Sequence, residues 1–190
     1  MLPELRTARL RLRPSTGAHV PALWEIWRDP QVRRFLFDDV EITVERTAEV
    51  VASTRMLAPD GLGLWVIELL GDDRSPAIVG CVGLFPVGEA ADHLPPLAGG
   101  VEPLVALRPD AWGQGFATEA LAEVLRWAFA SSPAREAVVA AIDVPNESSH
   151  RLFERLGFEV VAEGAGPKLP LRGYRLARAA FDAGAAAAAR

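Results

Sequence analysis

The sequence predicts an α/β fold of the α+β kind: a mixed, largely antiparallel, twisted sheet of about seven strands flanked by about four helices. Two patterns lead to it. Short runs rich in β-formers crowd the middle of the chain, and strand and helix patterns alternate after Val101. At 190 residues, half of them hydrophobic, the chain suits one compact domain, expected over residues 1–182.

Taken in order, Ala8 to Arg13 alternates leucine with arginine and reads as a half-buried strand ended by Pro14. Ser15 or Thr16 can cap a helix whose face carries Val20, Leu23, Trp24 and Trp27, and Pro30 stops it. Val32 to Asp39 fits a short helix or a loop. Thr43 caps a second helix reaching about Leu57, and Pro59-Asp60-Gly61 is a turn. Leu64 to Leu70 and Ala77 to Phe85 are strands joined by a hairpin-type loop at Gly71 to Ser75. Gly80 and Gly83 mark a close backbone approach or a bulge. Pro86 to Gly100 reads as a long loop, either a flap beside the substrate or a surface excursion.

Val101 to Leu107 is a strand, with Pro103 pointing to an interrupted ladder. Ala117, Leu121, Val124, Leu125, Ala128 and Phe129 recur at helical spacing up to Ser131-Ser132-Pro133. Ala137 to Val144 is a strand covered on both faces. Asn146 caps a short helix with Leu152, Phe153 and Leu156 inward and Gly157 as its C-terminal cap. Phe158 to Ala162 and Leu171 to Ala177 complete the sheet, and the alanine-rich tail, residues 183–190, is expected to be disordered.

Composition narrows the function. A net charge of −5 argues against general electrostatic binding to nucleic acid. The longest apolar runs, such as Ile78 to Phe85, are far too short to span a membrane, and charges interrupt the first residues, so a cytoplasmic protein is expected. One cysteine, Cys81, permits no internal disulfide and no cysteine-based zinc site, and no metal is expected.

The segment Leu107 to Leu121 has the form of an anion cradle. Gly113 and Gly115 can adopt conformations closed to other residues, and the following helix adds free N–H groups and the positive end of its dipole. Gly113-x-Gly115 also matches part of a dinucleotide fingerprint, but the third glycine is missing and Pro109 separates strand from turn.

Four segments carry a family resemblance. The stretch AWGQGFATEAL resembles the pyrophosphate loop of the GNAT N-acetyltransferases, and VPNESSHRLFERLGFE resembles their later strand-helix segment. TARLRLRP and RGYRLARAAFDA are similar to the opening and closing segments of the RimJ/RimL-like branch, the ribosomal-protein N-terminal acetyltransferases. Together they run from Thr7 to Asp182 in the family's order.

The resemblance implies acetyl transfer from acetyl-CoA, as co-substrate, to a primary amine by direct attack in a ternary complex. Trp112 stands where the general pattern has Gln or Arg, and Gly115 and Ala117 take the two small positions. Backbone N–H groups of Gly113, Gln114, Gly115, Phe116, Ala117 and Thr118 then hold the pyrophosphate. The backbone of Val105, Ala106 and Leu107 pairs with the pantetheine arm. Asn146 contacts that arm, and Arg151 meets a CoA phosphate.

Acetyl transfer further demands a neutral amine, a donor to the thioester oxygen and help for the departing thiolate. Many relatives carry a tyrosine seven residues after the asparagine. Here it is Phe153, which cannot donate, and Ser149 takes the place of a serine given that role in the RimJ/RimL-like branch. Glu102 is the candidate base, with Glu68 and His93 behind it, and Val105 N–H the candidate for the oxyanion. Trp24, Trp27 and Trp127 read as packing. Trp65, Phe35 and Phe37 read as core or acceptor cleft. A protein or peptide N-terminus is the leading acceptor. A polyamine, amino acid or aminoglycoside is the alternative, as is a non-catalytic acyl-CoA-binding domain, and a homodimer is left open.

Overall fold

The computed structural model describes residues 2–71 and 77–188, with side chains to 184. Most of the expected hairpin loop, residues 72–75, lies outside them. The described chain forms two compact units: residues 1–84 with 104–131, and residues 85–103 with 132–190.

The first unit is built on a sheet in the order β1 (Leu5–Arg6), β2 (Leu10–Pro14), β3 (Gly63–Leu69), β4 (Ile78–Pro86) and β5 (Val101–Leu107). The last two strands begin or end in the second unit: Phe85–Pro86 and Val101–Pro103 belong there, so the chain changes unit on β5 at Pro103. β1–β4 pair antiparallel. Gly80 does what its sequence context suggested, because a Cβ on it falls 2.3 Å from Ala106 O and 2.9 Å from Leu107 Cα. Only a residue without a side chain lets β4 and β5 approach so closely. A bulge interrupts the β3–β4 ladder between Ile67 and Glu68.

Helices α1 (Val20–Trp27) and α3 (Val44–Thr54) pack together, and α5 (Phe116–Ser131) packs on β1 and β2. The expected caps form. Thr43 Oγ1 accepts from Arg46 N at 3.1 Å, and Gly61 ends the turn after α3 at φ 72°. Pro30 does more than stop α1: as first residue of the short helix α2 (Pro30–Arg33) it follows Asp29, whose carboxylate accepts from Gln31 N at 2.8 Å. Leu10, Leu12, Trp65, Leu121 and Leu125 are fully buried. Buried indoles need acceptors, and Trp65 Nε1 finds Pro3 O at 2.8 Å while Trp27 Nε1 finds Cys81 Sγ at 3.3 Å. Burial pushes the Cys81 thiol up to about 12, which keeps it unreactive.

The second unit is a three-stranded antiparallel sheet in the order β6 (Ala137–Asp143), β8 (Pro170–Ala177), β7 (Glu159–Ala165), with α6 (Glu147–Arg155) and α7 (Arg178–Ala188). Pro86 to Gly100 is not a plain loop. It holds α4 (Ala90–His93) and a tight turn, Pro95–Leu97, that buries Leu94 and Leu97 against Val139 and Leu171. This segment supplies core to its unit. α7 runs through Ala183 to Ala188, most of the tail expected to be disordered, as the high helix propensity of alanine favours. Residues 189 and 190 lie outside the described chain.

Candidate active site

In the first unit, β5 ends at Leu107 and a turn at Pro109–Ala111 leads to Trp112, Gly113, Gln114 and Gly115, after which α5 begins at Phe116. Gly113 and Gly115 have φ of 74° and 80°. A Cβ on Gly113 would meet nothing within 4 Å, so glycine is required there by backbone conformation and not by crowding. Two side chains close the loop on itself. Trp112 Nε1 donates to Leu107 O at 2.8 Å, and Gln114 Nε2 donates to Asp110 O at 3.0 Å. Gly115 O accepts from Glu119 N, opening the helix. The first N–H groups of a helix have no carbonyl of that helix to meet, and they carry its positive dipole end.

A clamp absent from the sequence reading holds this loop. Arg9, just ahead of β2, donates to Gln114 O at 3.0 Å, pairs with Glu119 at 2.6 Å and lies 4.7 Å over the Phe116 ring. The Glu119 carboxylate also accepts from Arg9 N and from the Thr7 hydroxyl. Burial acts to raise this carboxyl, but the Thr7 and Arg9 donors outweigh it and hold it below its ordinary value. Thr7, Arg9 and Glu119 all fall inside the motifs that carry the family resemblance. With Arg9 and Glu119 standing 110 residues apart in the sequence, no local pattern pairs them.

A cavity of about 390 Å³ in the first unit is lined by Ala22, Ile26, Asp29, Ile78 and Arg108 among others. None of the expected donor-binding or catalytic residues lines it. The fully buried Trp65 is core and cannot line an acceptor cleft. Glu68 is also buried, and its two oxygens are taken by Arg11 at 2.7 Å and Arg13 at 3.0 Å.

In the second unit, Asn146 caps α6. Its Oδ1 accepts from Ser149 N at 3.2 Å and from the Ser148 hydroxyl at 3.0 Å. Local bonding is thus done by the Ser149 backbone and by Ser148, while the half-buried Ser149 hydroxyl bonds to no other described residue. Phe153 is 5 % exposed and packs against Phe158 at 4.9 Å and Tyr174 at 6.4 Å, so it is core. Arg151 is exposed and pairs with Glu147 at 3.4 Å. Burial raises the Glu102 carboxyl, opposed by a hydrogen bond from the Gly88 backbone. His93 is exposed on α4.

The sequence reading also passed over His150. It is buried beside Ser149, with Nδ1 2.8 Å from the Tyr174 hydroxyl and Nε2 3.0 Å from Val144 O. The Tyr174 hydroxyl donates to Glu154 Oε1 at 3.2 Å. The available signal was its place three residues before the inward Phe153.

The profile of the acetyltransferase (GNAT) domain family matches residues 9–159, across both units. The chain is a GNAT acetyltransferase. The uncharacterized N-acetyltransferase YoaA of Bacillus subtilis is 25% identical over 160 residues, 84% of each chain. Among solved structures, an acetyltransferase from Agrobacterium tumefaciens matches with a TM-score of 0.73 at 23% identity, covering 94% of this chain and 96% of its own. RimL, a ribosomal L7/L12 alpha-N-protein acetyltransferase in complex with coenzyme A, matches at 0.71 and 16%, covering 92% and 98%. These likenesses show the GNAT fold, mostly antiparallel strands in two sheets with helices around them. As a GNAT N-acetyltransferase the chain uses acetyl-CoA. The loop fits an acyl-CoA pyrophosphate: two glycines in the left-handed region lead into a long helix whose preceding residue, Gly115, has no side chain to cap it. Among the described residues, no helix is long and apolar enough to cross a membrane.

Proposed function

We propose that this GNAT enzyme acetylates the α-amine of a protein or peptide N-terminus. The residues of Gly113 to Thr118 hold the donor pyrophosphate, Val105 to Leu107 and Asn146 hold the pantetheine arm, and Arg151 meets a CoA phosphate. Acetyl-CoA supplies an activated acyl thioester. Glu102 takes the proton of the ammonium, directly or through water, freeing the lone pair that forms the C–N bond. Val105 N–H donates to the acyl oxygen as charge develops there. Ser149 hands its hydroxyl proton to the sulfur as the C–S bond breaks, and the second proton, which the nitrogen sheds on becoming the amide, returns through solvent to the Ser149 oxygen.

The observation that carries the catalytic assignment is the contrast within α6. Phe153, at the position where many relatives have a tyrosine, is sealed in the core, while the Ser149 hydroxyl is half-exposed and uncommitted. The raised Glu102 carboxyl supports a base, because such a group gains the proton affinity that an amine proton requires. The preference for an N-terminal acceptor is supported by the opening and closing segments of the RimJ/RimL-like branch.

Transfer assays over peptides, polyamines, amino acids and aminoglycosides test the acceptor. Peptide turnover exceeding every small amine is expected, and a polyamine as best substrate would overturn it. Ser149→Ala should lower kcat by about tenfold or more at saturating acetyl-CoA, and unchanged turnover would remove Ser149 from the mechanism. A base must be ionised to act. The raised Glu102 carboxyl therefore places the acidic limb of the kcat/KM profile above the ordinary carboxylate range, and Glu102→Gln should abolish that limb. An unaltered profile assigns the base elsewhere.

A further inference from the structure

We infer that His150 is a positioning residue for Ser149, fixing the first turn of α6 against β8 and the end of β6. The inference rests on the reading of Ser149 as the donor to the leaving sulfur.

Two hydrogen bonds hold the ring. Val144 O can only accept, so Nε2 carries a hydrogen and donates it at 3.0 Å. Nδ1 lies 2.8 Å from the Tyr174 hydroxyl, which also bonds Glu154 Oε1 at 3.2 Å. Tyr174 is fully buried, so the core fixes this second partner.

Polar groups from α6, β8 and the end of β6 surround the ring and its tyrosine partner. From α6 comes the Glu154 carboxylate. From β8 comes Arg172, which contacts the Tyr174 hydroxyl and is itself paired with Glu163 of β7 at 2.8 Å. β6 is represented by the Val144 carbonyl that follows it. Burial chiefly, with Glu154 adding to it and Arg172 opposing, raises the Tyr174 phenol, so it stays protonated as the donor to Glu154.

The consequence for Ser149 is rotational. Asn146 caps the start of α6 from within its own turn. His150 adds bonds to Val144 O before the cap and to Tyr174 on the neighbouring strand. Ser149 precedes His150 by one residue, about 100° around the helix, so fixing one side chain aims the other.

The test uses the full-length protein labelled with ¹⁵N in its three histidines, His150 being assigned by its loss in His150→Gln. His150 Nε2 should carry a ring hydrogen protected from solvent exchange by its bond to Val144 O, and a freely exchanging or unprotonated Nε2 would overturn the inference. In kinetics, His150→Gln and Tyr174→Phe should each lower kcat by about tenfold with KM for acetyl-CoA changed less than about twofold. Neither should lower kcat further in a Ser149→Ala background. An undiminished effect in that background overturns positioning through Ser149. Should Ser149→Ala alone leave kcat unchanged, the reading of the hydroxyl fails, and the ring spectra still report on His150. Tyr174→Phe keeps the core volume and serves if His150→Gln does not fold.

Discussion

The starts of α5 and α6 are the same object, the N-terminus of a helix, treated in opposite ways. α6 opens behind Asn146, whose carboxamide satisfies the backbone, and His150 bolts its first turn in place. α5 opens behind Gly115, which has nothing to cap with, and the nearby Arg9 reaches past the helix's N–H groups to the carbonyl of Gln114 and to Glu119. The chain thus braces α5 from outside and leaves its positive end facing the loop. A capped terminus is a fixture and an uncapped one is open to a ligand, and the proposed mechanism has a use for each: one to aim the Ser149 hydroxyl, one to hold a pyrophosphate.

Three substitutions would break or sharpen that contrast. The largest effect is expected from Gly115→Val, which forces a β-branched residue to φ 80° and puts a Cβ 3.4 Å from the Arg9 guanidinium. Acetyl-CoA affinity measured by calorimetry should fall on the order of a hundredfold, ~2–3 kcal/mol. Retained affinity would mean that the loop does not hold the donor.

Arg9→Ala comes next, with affinity weakened by about tenfold because the loop loses its brace. It should also change the acid response. A carboxyl lowered in the folded state stabilises above its unfolded pKa, and that contribution is lost as pH falls through the lower folded value. Wild-type thermal stability should therefore carry an acid-sensitive component that is smaller in Arg9→Ala, where only the Thr7 hydroxyl and the backbone N–H of residue 9 still donate to Glu119. Parallel pH curves for the two proteins would contradict the clamp.

The smallest effect belongs to the capped terminus. Asn146→Ala should cost about 1 kcal/mol in a denaturant melt, and Asn146→Ser should recover most of it. Equal losses in both would mean that the carboxamide supports the fold in a way that a hydroxyl cannot.

What could be read in the sequence was whatever a short window determines. Asn146 and Gly157 bracket α6, and Gly113 and Gly115 are glycines because the backbone there turns left-handed. Thr43 caps α3 for the same local reason. Pro86 to Gly100 misled because Leu94 and Leu97 are set among prolines and small residues, without the periodicity of a helix or strand, yet they fill the core of their unit. Arg9 and Glu119 could not be paired, since nothing near either names the other. His150 sat in plain view on the buried face of α6. A lone histidine there has no pattern until Tyr174 arrives from β8.

The Arg9–Glu119 clamp also sets an order of events during folding. Its partners are 110 residues apart, so the glycine loop is finished only when the chain has closed one of the longest circuits in its unit. Strands β1 to β4 can pair before α5 exists. A nascent chain that has emerged only as far as β4 holds much of a sheet but lacks the loop proposed to hold acetyl-CoA, which is braced only once residue 119 has returned to residue 9.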